Sequence, residues 1–170
     1  LYQEERESLT ADTARAISKE IFREDILKPE HRELLRAIMA RMQQEYHLAG
    51  VEVFSPKMET LARMMDPRLS DAVLSLPVGQ LVLHVLDTGQ PMSSAQEAPV
   101  GKLIRAAAPI RGNGQTDRVF GVVVVSSYVP EVLVMKMDGI AKQFEEYRQI
   151  ISMKNPIKGG AYMFVAVVTV

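Results

Sequence analysis

The chain opens on a polar stretch in which apolar residues return at helical spacing. The run "EERESLTADTARAISKEIFRED" holds no Pro or Gly and is rich in helix formers. Thr10, Ala14, Ile17 and Ile21 share one face, which predicts a helix over residues 1–27. Pro29 breaks it and suits the first position of a second helix, which runs to about His47. Leu35, Ile38, Met42 and Tyr46 form its inner stripe, and Gly50 is placed like a C-terminal cap. At residue 51 the period changes to two. "VEVFSP" alternates as a strand and stops at Pro56, and "TLARMM" reads as its hairpin partner. Asp66-Pro67 then reads as the cap and first turn of a short helix that ends before Pro77.

"QLVLHVLD" reads as a third strand, followed by the turn residues "TGQP", and "GKLIRAAAPI" as a fourth. In "RGNGQTDR" the Asn113-Gly114 pair favours positive φ and a hairpin reversal. "VFGVVVVSSY" is a fifth strand, apolar enough to lie mid-sheet with both faces covered. Pro130 opens a long helix over residues 131–154. Its apolar residues Leu133, Met137, Ile140, Phe144, Tyr147 and Ile151 are spaced 4, 3, 4, 3, 4. That period of 3.5 is the seam of a coiled coil, with an ordinary amphipathic helix lying on its own domain as the plainer alternative. Gly139 weakens this helix by about 1 kcal/mol relative to Ala, which does not abolish it. Strands joined by short turns, with helices gathered at the ends, predict an α+β domain: a five-stranded antiparallel sheet with helices on one face.

The sequence stays uncharged for its last twelve residues, after Lys158. Residues 161–170 are nearly all apolar, about half of the ~20 residues that a membrane-crossing helix needs. Gly159-Gly160 separates them from the seam, and Tyr162 stands where an interfacial aromatic would. The expectation is a truncated membrane span beginning at residue 156, rather than a closing strand or a disordered end. Lys154 and Lys158 cut against simple topology, since Lys is commoner on the cytoplasmic flank. The first residue is Leu1 and no signal peptide is visible, so a piece of a longer protein is expected. The expected divisions are N-terminal helices over 1–50, the sheet domain over 51–129, a signalling helix over 130–155 and the span over 156–170.

Composition changes this picture little. A length of 170 residues suits one domain, or one with appendages, and supplies enough core to need no staple. The net charge of -1 gives no electrostatic reason for a nucleic-acid partner. The absence of Cys excludes disulfide scaffolds, thiol catalysis and Cys-ligated zinc.

Tyr128, Pro130, Tyr147, Lys154, Pro156, Ile157 and Lys158 form a recognisable series within residues 120–170. With them this stretch resembles the end of the extracytoplasmic region of nitrogen-regulation (NtrY-like) sensor histidine kinases. "LIRAAAPI" is similar to a strand common in Cache (PAS-like) sensor domains. The resemblance implies a PAS-like, single-Cache domain held at the inner membrane by flanking spans, facing the periplasm and coupled to a cytoplasmic kinase. The chain carries no acceptor-His helix and no Gly-rich ATP lid, so no enzyme activity and no cofactor are expected of it. Signal transduction through a homodimer is expected, and the family's nitrogen-regulation pathway does not imply a nitrogenous ligand.

Candidate chemistry centres on Arg105. Leu103 and Ala107 share its face of the strand, and a charge there must be paired, exposed or met by an anion. Ala106, Ala107 and Ala108 are small, and space beside a guanidinium fork suits a carboxylate. Ser126 and Tyr128 share one face of the neighbouring strand and can offer hydroxyls to the same cavity. His84, mid-strand in this reading, is either a satisfied sheet histidine or a ligand contact. The plainer alternatives are an exposed sheet-face arginine, and packing of Tyr128 and Ser126 at the start of the last helix. His31 and His47 read as solvated helix residues, the Gly-rich loop as a hairpin, and the ten Met residues as core filler rather than a metal site. The expected function is signal input: a small ligand, with a carboxylate as the candidate, shifts the sheet against the terminal helices. The alternative is a ligand-free dimerisation or partner-docking module.

Overall fold

A computed structural model describes residues 2–21, 24–69, 77–99, 101–112 and 117–168. Helix α1 spans Tyr2–Glu20 and α2 spans Arg32–Glu45, with short 3-10 turns at Glu24–Leu27 and Pro29–His31 between them. Strands β1 (Gly50–Phe54) and β2 (Thr60–Met65) form a hairpin. Helix α3 (Gly79–Thr88), strands β3 (Met92–Ala98), β4 (Gly101–Arg111) and β5 (Val119–Pro130), and helix α4 (Glu131–Val168) follow. The sheet is antiparallel throughout, in the order β2-β1-β5-β4-β3. β5 lies in its middle, as its unbroken apolar run requires.

The face predicted for α1 is the buried one: Ala14, Ile17 and Ile21 are wholly inaccessible, and Thr10 nearly so. The Thr10 hydroxyl donates to the Arg6 carbonyl at 2.7 Å, so its burial leaves no polar group unmet. In α2 the inner stripe is Leu35, Met39 and Met42, whereas Tyr46 is exposed. These residues pack on Val51, Val53, Ala106, Ala108, Ile110, Val123 and Val125, on one face of the sheet. The left-handed residue after α2 is His47, at φ 52°, and Gly50 instead begins β1.

One predicted strand is a helix. "QLVLHVLD" lies in α3, where Leu81, Val82 and Val85 are buried and Leu83 and His84 face solvent. Spacing of one and four residues is helical, but a short apolar run reads equally well as a buried strand. The helix ends at Gly89, whose left-handed φ of 65° lets its amide bond the Val85 carbonyl at 2.9 Å. The fifth strand is β3, which pairs with β4 alone at the sheet edge. α3 packs on Phe54, Ala107, Val122 and Val124, so helices cover both faces of the sheet and not one.

The short helix expected after Asp66 falls mainly at residues 70–76, outside the described residues. Asp66 makes a local turn: its carboxylate accepts the Arg68 amide at 2.9 Å and the Arg68 guanidinium at 2.8 Å. The first helix closes at Glu20, seven residues short of the expected Leu27.

The chain divides into two compact units, Leu1–Glu131 and Val132–Val170. The second is α4, which runs on through Gly159-Gly160 instead of stopping near Lys154. Along it Leu133, Ile140, Phe144, Tyr147 and Ile151 are all exposed, while the side chain of Met137 and those beyond Ile151 lie outside the described residues. Among the described residues no helix is long and apolar enough to cross a membrane.

Candidate functional site

Strand register decides which side chains share the face that α3 packs on. One cross-strand row reads Arg63, Glu52, Val124, Ala107, Met92. The next reads Met65, Gly50, Ser126, Arg105, Ser94. Tyr128 pairs with Leu103 and Leu103 with Gln96 in a third row. α3 fills the apolar part of this face, and the polar residues occupy the remainder.

Arg105 is 1% exposed. Its Nε–H donates to Ser126 Oγ at 3.4 Å, and Nη1 donates to the Pro77 carbonyl at 3.3 Å and to Gln96 Oε1 at 3.4 Å. All three contacts lie beyond the usual 2.7–3.2 Å of a well-made N–H···O bond. Burial pushes the guanidinium pKa down and the charge of Glu52 pushes it back up, with Arg63 adding to the fall. An arginine so placed keeps its charge at neutral pH.

Glu52 is 5% exposed, and its Oε1 meets Arg63 Nε at 3.2 Å. Among the described residues its Oε2 accepts no hydrogen bond. Burial raises the Glu52 pKa, against the pull of Arg63 and, more weakly, of Arg105. Among the described residues the cations whose charge acts on Glu52 are Arg63, itself exposed, and the buried Arg105. A cleft of about 480 Å³ opens beside it, lined by Met58, Pro77, Gly79, Met92, Ser94 and Gln96. Pro77 and Gln96 thus have the cleft on one side and Arg105 Nη1 on the other. A wider depression of about 590 Å³ lies near Arg15 and Arg111, whose side chains face Asp12, Asp117 and the Gly89 carbonyl.

The structure brings Ser126 to Arg105 as the strand periodicity predicts. Tyr128 is half-buried two residues further along β5, packed with Leu103 and Ala49. His84 stands apart, because its segment is a helix: it lies on the exposed side of α3, and its carbonyl accepts the Thr88 hydroxyl at 2.7 Å. His31 and His47 are exposed. Glu52, Gln96 and the Pro77 carbonyl are the members that sequence reasoning missed. Glu52 carried the same signal as Arg105: a charge between Val51 and Val53 in a strand whose other face is core.

No family model matches the chain, and no curated protein matches it in sequence. Among solved structures it is similar to the sensory domain of the Campylobacter jejuni chemoreceptor Tlp3 with isoleucine bound. The TM-score is 0.56 at 16% identity, covering 74% of this chain and 53% of that one. The ligand-binding domain of Tlp3 in complex with L-valine aligns equally, at TM-score 0.56 and 16% identity. The E. coli DcuS sensor domain aligns at TM-score 0.43 and 16% identity, over 71% of this chain and 90% of that one. The chain spans about half the length of the Tlp3 domain, 53% of it. The likeness is one of fold: the chain shares with that sensory domain an α+β architecture, here with a five-stranded antiparallel sheet.

Proposed function

We propose that the chain is the extracytoplasmic signal-input domain of a membrane receptor, and that it binds a small carboxylate-bearing ligand against Arg105. The observation that carries this is a guanidinium buried on the sheet face, two of whose contacts, the Pro77 carbonyl and Gln96 Oε1, line a cleft. A carboxylate reaching Nη1 would replace the Pro77 carbonyl and the Gln96 amide oxygen with a shorter, charge-assisted bond, roughly twice as strong. Pro77 leads into α3, so ligand binding changes what holds that segment to the sheet. β5 carries Ser126 beside Arg105 and passes into α4 with no intervening loop. Ligand binding thus biases two arrangements of strand and helix, and a few kcal/mol of differential affinity is enough to shift them. The resemblance of residues 120–170 to NtrY-like kinases supports a periplasm-facing domain at the inner membrane, a homodimer joined along α4, and a kinase outside this chain.

A thermal-shift screen of the chain against small carboxylates, amino acids and inorganic anions tests the reading, since a ligand of the folded state raises Tm by mass action. A dose-dependent shift that disappears in Arg105→Met is expected. Stabilisation by no compound removes the reading. The exposed apolar seam of α4 would then favour a ligand-free module that dimerises or docks a partner protein.

A further inference from the structure

We propose that the domain holds a second binding site, away from Arg105, in which Arg15, Lys19 and Arg111 take the phosphate group of a small soluble molecule. The sheet leaves the space for it. β3 begins at Met92, opposite Ala107, so the last residues of β4 pair with β5 alone and have no strand on their other side. Pro109 suits such an unpaired edge. The last turns of α1 and the turn that follows α3 wall off the gap, and a cavity of about 590 Å³ remains.

Three cations reach this cavity from two elements. Arg15 and Lys19 are one turn apart on α1 and share a face, and Arg111 comes from the end of β4. Arg111 is fixed in place: Nη1 donates to Asp117 at 2.6 Å and Nη2 donates to the Gly89 carbonyl. The absence of a side chain at Gly89 makes room for this, since a Cβ there would lie 2.8 Å from Nη2. Most of the donors are still open. Among the described residues Arg111 uses two of its five N–H groups, Arg15 uses one, to Asp12 at 2.9 Å, and the Lys19 ammonium uses none.

No carboxylate lines the cavity among the described residues. Residues 22–23 and 113–116, next in sequence to its walls, include no Asp or Glu. Asp12 and Asp117 are themselves exposed, and an ion pair at the surface holds its partners weakly. The chain as a whole is balanced, with 20 basic and 21 acidic residues, so three cations on one cavity make a local excess of positive charge. A monocarboxylate answers one of them. A phosphate group at pH 7.5 carries close to two negative charges, and its oxygens accept from several directions. Guanidinium forks match phosphate geometry, and an ammonium serves it as a point charge.

Position selects a soluble phosphate over a lipid headgroup. Gln3, near the start of α1, accepts from Lys102 at 3.0 Å, and Gly101 pairs with Pro130 just before α4. α1 and α4 therefore begin at the same end of the sheet, the start of β4. Arg111 stands at the other end of that 11-residue strand, roughly 30 Å away at the usual strand rise. A membrane met through the terminal helices lies at the far pole from the cavity. Only this choice of source uses the membrane placement proposed above; the site itself is independent of it and of Arg105.

The test is calorimetric titration of the chain at pH 7.5 and low ionic strength in a phosphate-free buffer. The probes are inorganic phosphate, glycerol 3-phosphate and acetate, beside phosphatidylcholine vesicles containing phosphatidic acid. The expected result is binding of one or both soluble phosphates, with acetate at least about 10-fold weaker. Lys19→Gln should weaken phosphate on the order of 10-fold, and Arg36→Gln, at an exposed pair on α2, should leave it unchanged. Both side chains are exposed, so neither change threatens the fold. Acetate of equal affinity, equal weakening by the two variants, or binding that Lys19→Gln leaves unaltered each overturns the site. Vesicle binding without binding of a soluble phosphate overturns the soluble ligand in favour of a headgroup. Binding of no phosphate in either form overturns the site and leaves the Arg105 reading standing.

Discussion

Replacing Arg105 with Met removes a buried cation while keeping most of its aliphatic volume. Among the described residues Glu52 then remains buried with Arg63, at 3.2 Å, as its counter-charge. Removing one of the two cations whose charge acts on a buried carboxylate forfeits part of the stabilisation that a fully broken buried ion pair loses, about 3–5 kcal/mol. Arg63 still holds Oε1, so at most the lower end applies, about 3 kcal/mol. The double variant Glu52→Leu/Arg105→Met has no buried charge to compensate. It is expected within about 1 kcal/mol of the parent or above it, because an apolar replacement of a buried pair is often neutral or stabilising. The double-mutant cycle should then give a coupling of at least about 2 kcal/mol. Urea unfolding at pH 7.5, followed by circular dichroism, measures all four proteins. If the single variant loses less than about 1 kcal/mol and the effects simply add, the two groups are not electrostatically joined and the cluster as described is wrong. A double variant more stable than the parent would show that the pair is kept at a cost in stability, as expected of a binding site.

The pH dependence follows from Glu52. Its carboxyl titrates above the ordinary 4.5, so above that pH the folded state keeps a proton that the unfolded chain has released. Stability should therefore fall as pH rises through the folded value, and Glu52→Gln should flatten that slope in urea titrations. Asp66 acts in the opposite sense: Arg68 holds its carboxyl at about 2, so its small contribution is lost as pH falls from about 4 towards 2. Gly101→Ala should cost on the order of 3 kcal/mol, since Gly101 sits at φ 145° and a Cβ there would collide with the Val129 carbonyl. Ile17→Ala, in a wholly buried position, should cost about 3–4 kcal/mol by the same unfolding assay. Phe144→Asp on the exposed face of α4 should lower any self-association seen in sedimentation and leave the unfolding of the sheet domain unchanged; an unaltered sedimentation profile of an associating chain would remove the seam as the interface.

Sequence patterning carried most of the sheet. β1, β2, β4 and β5 alternate or run apolar because each has at least one face in the core, and burial is what writes periodicity. β3 was invisible for the converse reason. Its "MSSAQEA" is a polar edge strand, half-buried at best, whose place comes from hydrogen bonds to β4 and not from apolar side chains. The strand predicted in its place was α3, whose run of Leu and Val satisfies both periods over eight residues. That exchange moved His84 from the sheet to an exposed helix face. Arg105 was legible because a charge in an otherwise apolar strand has to be answered by something. Its answer was not legible: Pro77 contributes a backbone carbonyl, and Glu52 is brought near by pairing across β5, which no local pattern encodes.

The most direct test of the central claim is to observe the Arg105 guanidinium itself. Nitrogen-15 spectra of the arginine side chains can be recorded during titration with whichever amino acid or carboxylate raises Tm. The Nε resonance assigned by its loss in Arg105→Met is expected to shift in step with binding, while that of the exposed Arg36, paired to Glu33, stays still. A stabilising ligand that leaves the Arg105 resonance unmoved would contradict the account.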